Sequence, residues 1–171
     1  MYFLILMIVL MTSGCSPIKS QVLKQATPPI PQATLNNIIK KYVEPISVKP
    51  SFGGKAFCDY KIIDSTKKYN IIDIYISLLG QEYYTKNNKL YEGTGGVFYA
   101  ILTIKEQNNN YNFVNCNISR AEEEEDSLKI FPESVRKKLG KSSERNYFNN
   151  FSSNKIRQKA EAYFKMVKIS N

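Results

Sequence analysis

The sequence lacks histidine and tryptophan, and it contains only three cysteines among its 171 residues. Without histidine, the chain has no histidine-based catalytic triad, no histidine general base and no His-ligated zinc ion. It also lacks a long hydrophobic run, since residues 3–11 form a run of nine and a bilayer-spanning helix needs about 20. The sequence therefore predicts neither a metal nor a cofactor, and enzymatic activity is less expected than binding.

An excess of positive charge is present instead. The chain has 24 Lys and Arg against 15 Asp and Glu, a net charge of +9, and residues 133–171 alone carry +7. Such a cluster favours an anionic lipid, an anionic envelope polymer or nucleic acid as a partner. The alternative is a solvated basic surface. No motif for sequence-specific nucleic-acid recognition accompanies the charge, so no specific nucleic-acid partner is predicted.

The residue types of the N-terminal segment follow one another in the order that is typical of an export signal. The apolar residues 3–11 are followed by the small residues 12–14 and then by Cys15, which is typical of a cleaved signal peptide. The segment resembles the lipobox of bacterial lipoproteins, in which the cysteine thiol receives a diacylglycerol. The resemblance implies a signal peptide over residues 1–14 and a lipid anchor at Cys15, in the cell membrane or outer membrane and facing outside the cytosol. The residues alone leave open an uncleaved anchor or a buried N-terminal helix.

A proline-rich stretch separates Cys15 from the remainder of the chain. Residues 16–33 hold four prolines among polar residues, a composition typical of an extended tether. We therefore predict a lipidated cysteine and tether over residues 15–33 and a single domain over residues 34–169. The sequence does not determine the oligomeric state.

Hydrophobic periodicity predicts the elements of this domain. Thr34 is a predicted cap of a helix that Pro45 ends. Alternating apolar residues predict four strands with a bulge or bend at Gly80 and turns between them, and apolar residues at helical spacing then predict two C-terminal helices. The predicted strands cover residues 55–63, 70–84, 97–104 and 111–118, and the predicted turns cover residues 86–89, 93–96 and 107–110. The last two helices are predicted to begin near Pro132 and near Ser152 or Ser153.

This order predicts an α+β fold, with an N-terminal helix, a four-stranded antiparallel sheet and two C-terminal helices, all the helices packed on one face. Cystatin-like and NTF2-like folds are the nearest architectures by analogy, which transfers no function. The blocks at Gly80–Ile104 and Lys129–Leu139 also resemble a family of small secreted bacterial proteins, whose activity is uncharacterised.

Two cysteines beyond Cys15 raise the question of a disulfide. Cys58 and Cys116 both lie on apolar faces of predicted strands, and exported proteins commonly form disulfides. In a simple meander the first and fourth strands are too far apart for the bond. The sequence leaves open a bridge in a reordered sheet and two buried free thiols.

Two carboxylates are candidates for general acid and base chemistry. Glu82 lies in an apolar and aromatic strand end, and Glu92 lies across the predicted turn, so the two can form an acid–base pair. Such a pair, assisted by Tyr83, Tyr84 or Tyr99 in a pocket of the sheet, is the basis for a small hydrolase or isomerase. Two glutamates that flank a hairpin more often face solvent.

Two further patterns have simpler interpretations. Gly93, Gly95 and Gly96 precede a strand, whereas a phosphate-binding loop precedes a helix, so we expect glycines with positive φ in a turn. The acidic run 122–126 lacks the ligand spacing of a calcium loop and predicts a solvated helix start.

The function predicted from sequence is that of a lipid-anchored cell-envelope protein whose domain binds an envelope protein or an anionic polymer. The hydrolase or isomerase is the alternative. In a third hypothesis the basic C-terminal helix lies on an anionic membrane with Tyr163 and Phe164 inserted. We expect that helix to dock on the sheet instead, because the sheet needs a cover.

Overall fold

A computed structural model describes residues 27–121, 124–139 and 151–169. Their four-stranded antiparallel sheet and helices confirm the predicted α+β class. The elements are α1 (Gln32–Ile38), a π-helical turn (Ile39–Val43), α2 (Glu44–Ser47), β1 (Lys55–Lys68), β2 (Ile71–Lys86), β3 (Lys89–Gln107), β4 (Asn110–Arg120), α3 (Glu124–Ser127), a 3₁₀ turn (Leu128–Ile130), α4 (133–139) and α5 (Ser153–Ile169).

The sheet is a meander with the strand order β1-β2-β3-β4, so β1 and β4 are its edges. Two-residue turns join the strands, and asparagines with positive φ form two of these turns, at residues 87–88 and 108–109. Asparagine tolerates this conformation, which tight hairpin turns require. The strands extend beyond their predicted bounds because the turns themselves are this short.

The turn predicted at residues 93–96 is wrong. These residues lie inside β3, where Gly95 pairs with Gln81 and Gly96 pairs with Gly80. Among the described glycines only Gly53 has a positive φ. Pairing with β2 outweighs the low strand propensity of glycine. The bulge expected at Gly80 lies instead between Gln81 and Tyr83 of β2.

Both faces of the sheet are covered by helices. Side chains alternate along a strand, so Ile74, Ile76 and Leu78 of β2 lie on what we call the first face and Tyr75 and Leu79 on the second. The segment from α1 to α2 packs on the first face, whereas α4 and α5 pack on the second. The prediction that all helices pack on one face is therefore wrong, because β2 and β3 are apolar on both sides.

The N-terminal helix begins earlier and ends later than predicted. Ile30 is already buried, the helix starts after Pro31 rather than at Thr34, and it continues through Pro45 to Ser47. The π-helical turn makes this continuation feasible, because it is followed by a new first turn in which the proline needs no N–H.

The C-terminal helices pack on the second face through their apolar stripes. From α4, Val135 and Leu139 bury against Tyr75 and Tyr99, and from α5, Ile156 and Ala160 bury against Phe57 and Tyr83. The predicted docking of α5 on the sheet is confirmed. No helix among residues 27–121, 124–139 and 151–169 has both the length and the apolarity to cross a bilayer.

Candidate functional site

Glu82, one of the two carboxylates selected from the sequence, is completely buried and saturated with hydrogen bonds. Its Oε1 accepts the backbone N–H groups of Phe52 at 2.9 Å and Gly54 at 3.0 Å. Its Oε2 accepts those of Ser51 at 2.9 Å and Thr94 at 3.1 Å. The carboxylate therefore ties the loop before β1 to the strands β2 and β3.

The environment of Glu82 keeps it ionised. Burial by itself raises the pKa of a carboxyl, but the four backbone donors outweigh this and lower the pKa of Glu82 to about 2. A carboxylate with this pKa is a poor proton acceptor near neutral pH. The geometry therefore indicates that Glu82 holds the loop before β1 in place.

Glu92 does not pair with Glu82. Its Oε1 accepts the hydroxyl of Tyr83 at 3.2 Å and lies 3.9 Å from the Arg157 guanidinium of α5. Burial, together with the Glu92 carboxylate, raises the pKa of Tyr83 to about 12. The ring of Tyr99 packs against Phe131 on the second face. The structure thus joins Glu92 to Tyr83, whereas Glu82 and Tyr99 contact other groups, and the acid–base pair considered from the sequence does not form.

Cys58 and Cys116 are both free thiols. They lie on the two edge strands, with β2 and β3 between them, and this separation excludes a bond between them in this fold. Burial raises the pKa of Cys58 to about 12 and that of Cys116 to about 11. Neither thiol is a ready nucleophile near neutral pH.

A groove of about 600 Å³ runs along the outer edge of β1, between α1 and α2 on one side and α5 on the other. We call it the β1-edge groove. It is lined by Gln32, Asn36, Asn37, Lys40, Glu44, Lys55, Phe57, Tyr60, Lys155, Lys159, Ala162, Tyr163 and Met166. Four of these residues are lysines and only one is acidic, so the groove is basic.

The two sides of the groove meet over the backbone of Cys58 at the strand edge. The carboxylate of Glu44 accepts the Cys58 N–H at 3.1 Å, and the Lys159 ammonium donates to the Cys58 carbonyl oxygen. Lys159 Nζ also lies 4.0 Å from Glu44 Oε1. Side chains of α2 and α5 thus occupy the strand-edge positions where another strand would pair.

Glu44 differs from Glu82 in its electrostatics. It is almost as buried, with 4% of its surface exposed. Burial raises the pKa of Glu44 above its ordinary value, opposed by the hydrogen bond from Cys58 and by nearby lysines, Lys159 first among them. One backbone donor does not outweigh the cost of burying the charge, whereas four do at Glu82.

Two lysines of the groove are free of described carboxylate partners at ion-pair distance. Lys155 pairs with Asp59 at 2.9 Å and Lys159 lies beside Glu44. Among the ion pairs of the described residues, neither Lys40 nor Lys55 takes part. Lys55 instead lies over the ring of Tyr163, 5.1 Å from its centroid. These two lysines supply the uncompensated positive charge.

The groove also has an uncharged part. At one end, the Tyr60 hydroxyl donates to Asn36 Oδ1 at 2.7 Å and accepts from Gln32 Nε2 at 2.6 Å. Phe57 and Tyr163 meet edge to face, with centroids 5.7 Å apart. Aromatic surface and amide groups therefore lie beside the lysines.

Sequence reasoning missed this groove. Its residues come from α1, the π-helical turn, α2, β1 and α5, which no single motif joins. One signal was readable, since Lys155 and Lys159 are four residues apart and share one side of the α5 helix. Nothing in the sequence showed that this side would lie next to Glu44.

Several predictions fall outside the described residues. The signal peptide, Cys15 and most of the tether lie there, as do residues 122–123 of the acidic run. The described end of the acidic run does begin a helix, α3. Within the described parts of the chain, no cluster of three or more Asp, Glu or Cys side chains could hold a metal ion.

The fold and the groove together define a class of protein: a small α+β domain with a basic, partly aromatic groove at a sheet edge. Comparison with protein-family models, curated proteins and solved structures finds no match to this chain. Its function is therefore argued from the geometry.

Proposed function

We propose that this protein is a lipid-anchored binding module of the cell envelope whose β1-edge groove holds an anionic ligand. The observation that carries the proposal is the lining of the groove, in which Lys40, Lys55, Lys155 and Lys159 face a single carboxylate, Glu44. The anchor is proposed from the order of residues before Cys15.

The lining also indicates the class of ligand. Lys40 and Lys55 offer charge to an anionic group, and the rings of Phe57 and Tyr163 offer apolar surface beside it. A volume of about 600 Å³ lies in the range of small-molecule sites, which combine apolar walls with a few polar groups. The proposed ligand is an anion with an aromatic or aliphatic body.

Binding fits these side chains better than catalysis. Glu82, the strongest candidate base in the sequence, has both oxygens occupied by backbone donors. The Cys58 thiol, which is buried in the core of the first face, contacts the hydroxyl of Ser47 at 3.1 Å, and its pKa is raised to about 12. A ligand in the groove meets cationic and aromatic groups rather than a general base or a nucleophile.

The proposal is tested with 8-anilinonaphthalene-1-sulfonate, a fluorescent probe with an anionic group on an aromatic body. In the full chain, Lys40→Gln combined with Lys55→Gln should weaken probe binding about tenfold, since each partly exposed charge contributes up to about 1 kcal/mol. The measurement is a fluorescence titration of the folded protein.

A matched control is Lys68→Gln combined with Lys105→Gln. These exposed lysines lie at the other end of the sheet, near the β1–β2 turn, and the variant loses the same net charge. Its affinity for the probe should match that of the parent. Equal weakening in both double variants would show that the probe senses net charge only, and the proposed site would be wrong.

A further inference from the structure

A row of aromatic rings lies exposed at the end of the sheet that carries the β2–β3 turn. The rings of Phe52 and Tyr84 are nearly parallel, with centroids 5.2 Å apart, and those of Tyr84 and Tyr91 are 5.7 Å apart. Phe52 is 59% exposed and Tyr91 is 42% exposed. Leaving this much apolar surface in water is unfavourable unless another surface covers it.

Two lysines lie on the same side of the hairpin, next to these rings. In the β2–β3 register Tyr84 pairs with Tyr91, and Lys86 pairs with Lys89. Residues two apart on a strand share a face, so the lysine pair extends the aromatic pair toward the tip. Both lysines are exposed. We call these four residues and Phe52 the aromatic–lysine strip.

The position of Phe52 in the strip is fixed by buried groups. Its backbone N–H donates to Glu82, whose carboxylate also holds the neighbouring Ser51 and Gly54. A Cβ on Gly93 would lie 2.6 Å from Glu82 Oε2 and 2.9 Å from the Phe52 ring, so only glycine allows this close approach. A buried charge therefore holds an exposed phenylalanine against the hairpin.

We propose that the aromatic–lysine strip docks on the surface of an anionic lipid bilayer. Aromatic side chains are favoured at the boundary between headgroups and acyl chains, and lysines near an anionic leaflet are attracted to its headgroups. The strip places the two kinds of side chain together on one exposed hairpin face. The phenylalanine and tyrosine rings enter the boundary, and Lys86 and Lys89 contact the headgroups.

The packing of the rings favours lipid over a nucleic-acid base or a sugar ring. Such ligands stack on free ring faces, whereas the faces of Tyr84 are used by Phe52 and Tyr91. α5 is not the docking element, because its Tyr163 and Phe164 pack against Phe57.

The docking rests on the lipid anchorage proposed above, which brings the domain to the bilayer. Fourteen residues separate Cys15 from Ile30, the first buried residue in the described part of the chain. A chain of this length reaches at most about 50 Å, so an anchor at Cys15 keeps the domain close to the bilayer.

The absence of tryptophan permits a direct test. Phe52→Trp places a single fluorophore in the strip of the full chain, which is reconstituted with vesicles of phosphatidylcholine alone or mixed with phosphatidylglycerol. In the anionic vesicles we expect a blue shift of the emission and severalfold lower quenching by iodide. Adding Lys86→Gln and Lys89→Gln should weaken the docking by roughly 30-fold, because each lysine near an anionic surface contributes about 1 kcal/mol to the attraction.

The control fluorophore is Tyr69→Trp, because Tyr69 is 87% exposed in the β1–β2 turn at the opposite end of the sheet. Its emission should be the same in both kinds of vesicle. Equal iodide quenching of Phe52→Trp in both kinds of vesicle would overturn the proposal, and so would an equal emission shift for Tyr69→Trp. It would also be overturned if soluble heparin protected the Phe52→Trp fluorophore from iodide as well as the anionic vesicles do. Flotation of the chain with the vesicles reports anchoring separately, so failure to dock and failure to anchor are distinguishable.

Discussion

Two buried glutamates show how the number of backbone donors decides the state of a carboxyl. Glu82 receives four backbone N–H groups and has a pKa lowered to about 2. Glu44 receives one, from Cys58, and burial raises its pKa. Both belong to surfaces proposed to bind, since Glu44 lines the β1-edge groove and Glu82 holds Phe52 in the aromatic–lysine strip.

The same substitution should therefore act differently at the two sites. Glu82→Gln places an amide NH₂ against two backbone donors in either orientation, which should lower the free energy of unfolding by about 2–4 kcal/mol. Glu44→Gln keeps an acceptor for Cys58 and removes a buried charge, so stability at pH 7 should be unchanged or higher. Urea unfolding of the two variants makes the comparison.

Acid titration checks the same pair. The pKa of Glu82 is lowered from 4.5 to about 2 on folding. The contribution of Glu82 to the free energy of unfolding is therefore complete above about pH 4.5 and is lost as the pH falls toward 2. The Glu82→Gln variant should lack this part of the acid-induced loss of stability. An equal loss of stability in both Gln variants at pH 7 would contradict the assigned roles.

Among the elements, α5 connects the core to the groove. Ile156 and Ala160 bury on the second face, while Lys155 and Lys159 reach the edge of β1 at Asp59 and Cys58. One helix therefore both covers the sheet and forms a wall of the β1-edge groove. Losing its apolar contacts should remove the groove together with much of the stability.

Ile156→Ala tests this packing. Ile156 is 1% exposed, and truncating a buried isoleucine should lower the free energy of unfolding by about 2–4 kcal/mol. Met166→Ala, on the same helix at 63% exposure, should change it by less than about 0.5 kcal/mol. Thermal or urea unfolding measures both. Similar small effects for the two variants would mean that α5 is not docked through Ile156.

At the scale of the whole molecule, the sheet carries helices on both faces, and its two proposed binding surfaces are separate. The groove follows the edge of β1, and the strip lies at the β2–β3 end. The groove and the strip share no residue. Anchoring at Cys15 would hold both near the same membrane.

The anchor has its own test in the mature protein. Intact mass of the chain recovered from the membranes of expressing cells should correspond to residues 15–171 plus a diacylglycerol, with or without a further acyl chain. Cys15→Ser should prevent both the cleavage and the lipid addition. Recovery of a soluble chain that still carries residues 1–14 would contradict the proposed membrane localisation.

The sequence by itself determined the α+β class, the number of strands and the docking of α5. These follow from local periodicity, because alternation of apolar residues sets a strand and the spacing of Ile156 and Ala160 sets a helix face. It also identified Glu82 as unusual, because a carboxyl lay in an apolar strand end.

Only the tertiary structure decided what these residues do. The role of Glu82 depends on N–H groups about 30 residues away in sequence, at Ser51, Phe52 and Gly54. The glycines predicted to form a turn at residues 93–96 lie in strand β3 because β2 pairs with them. Pro45 lies in a helix because a π-helical turn precedes it. Long-range pairing and packing outweigh local propensity at these positions, and no local pattern encodes them.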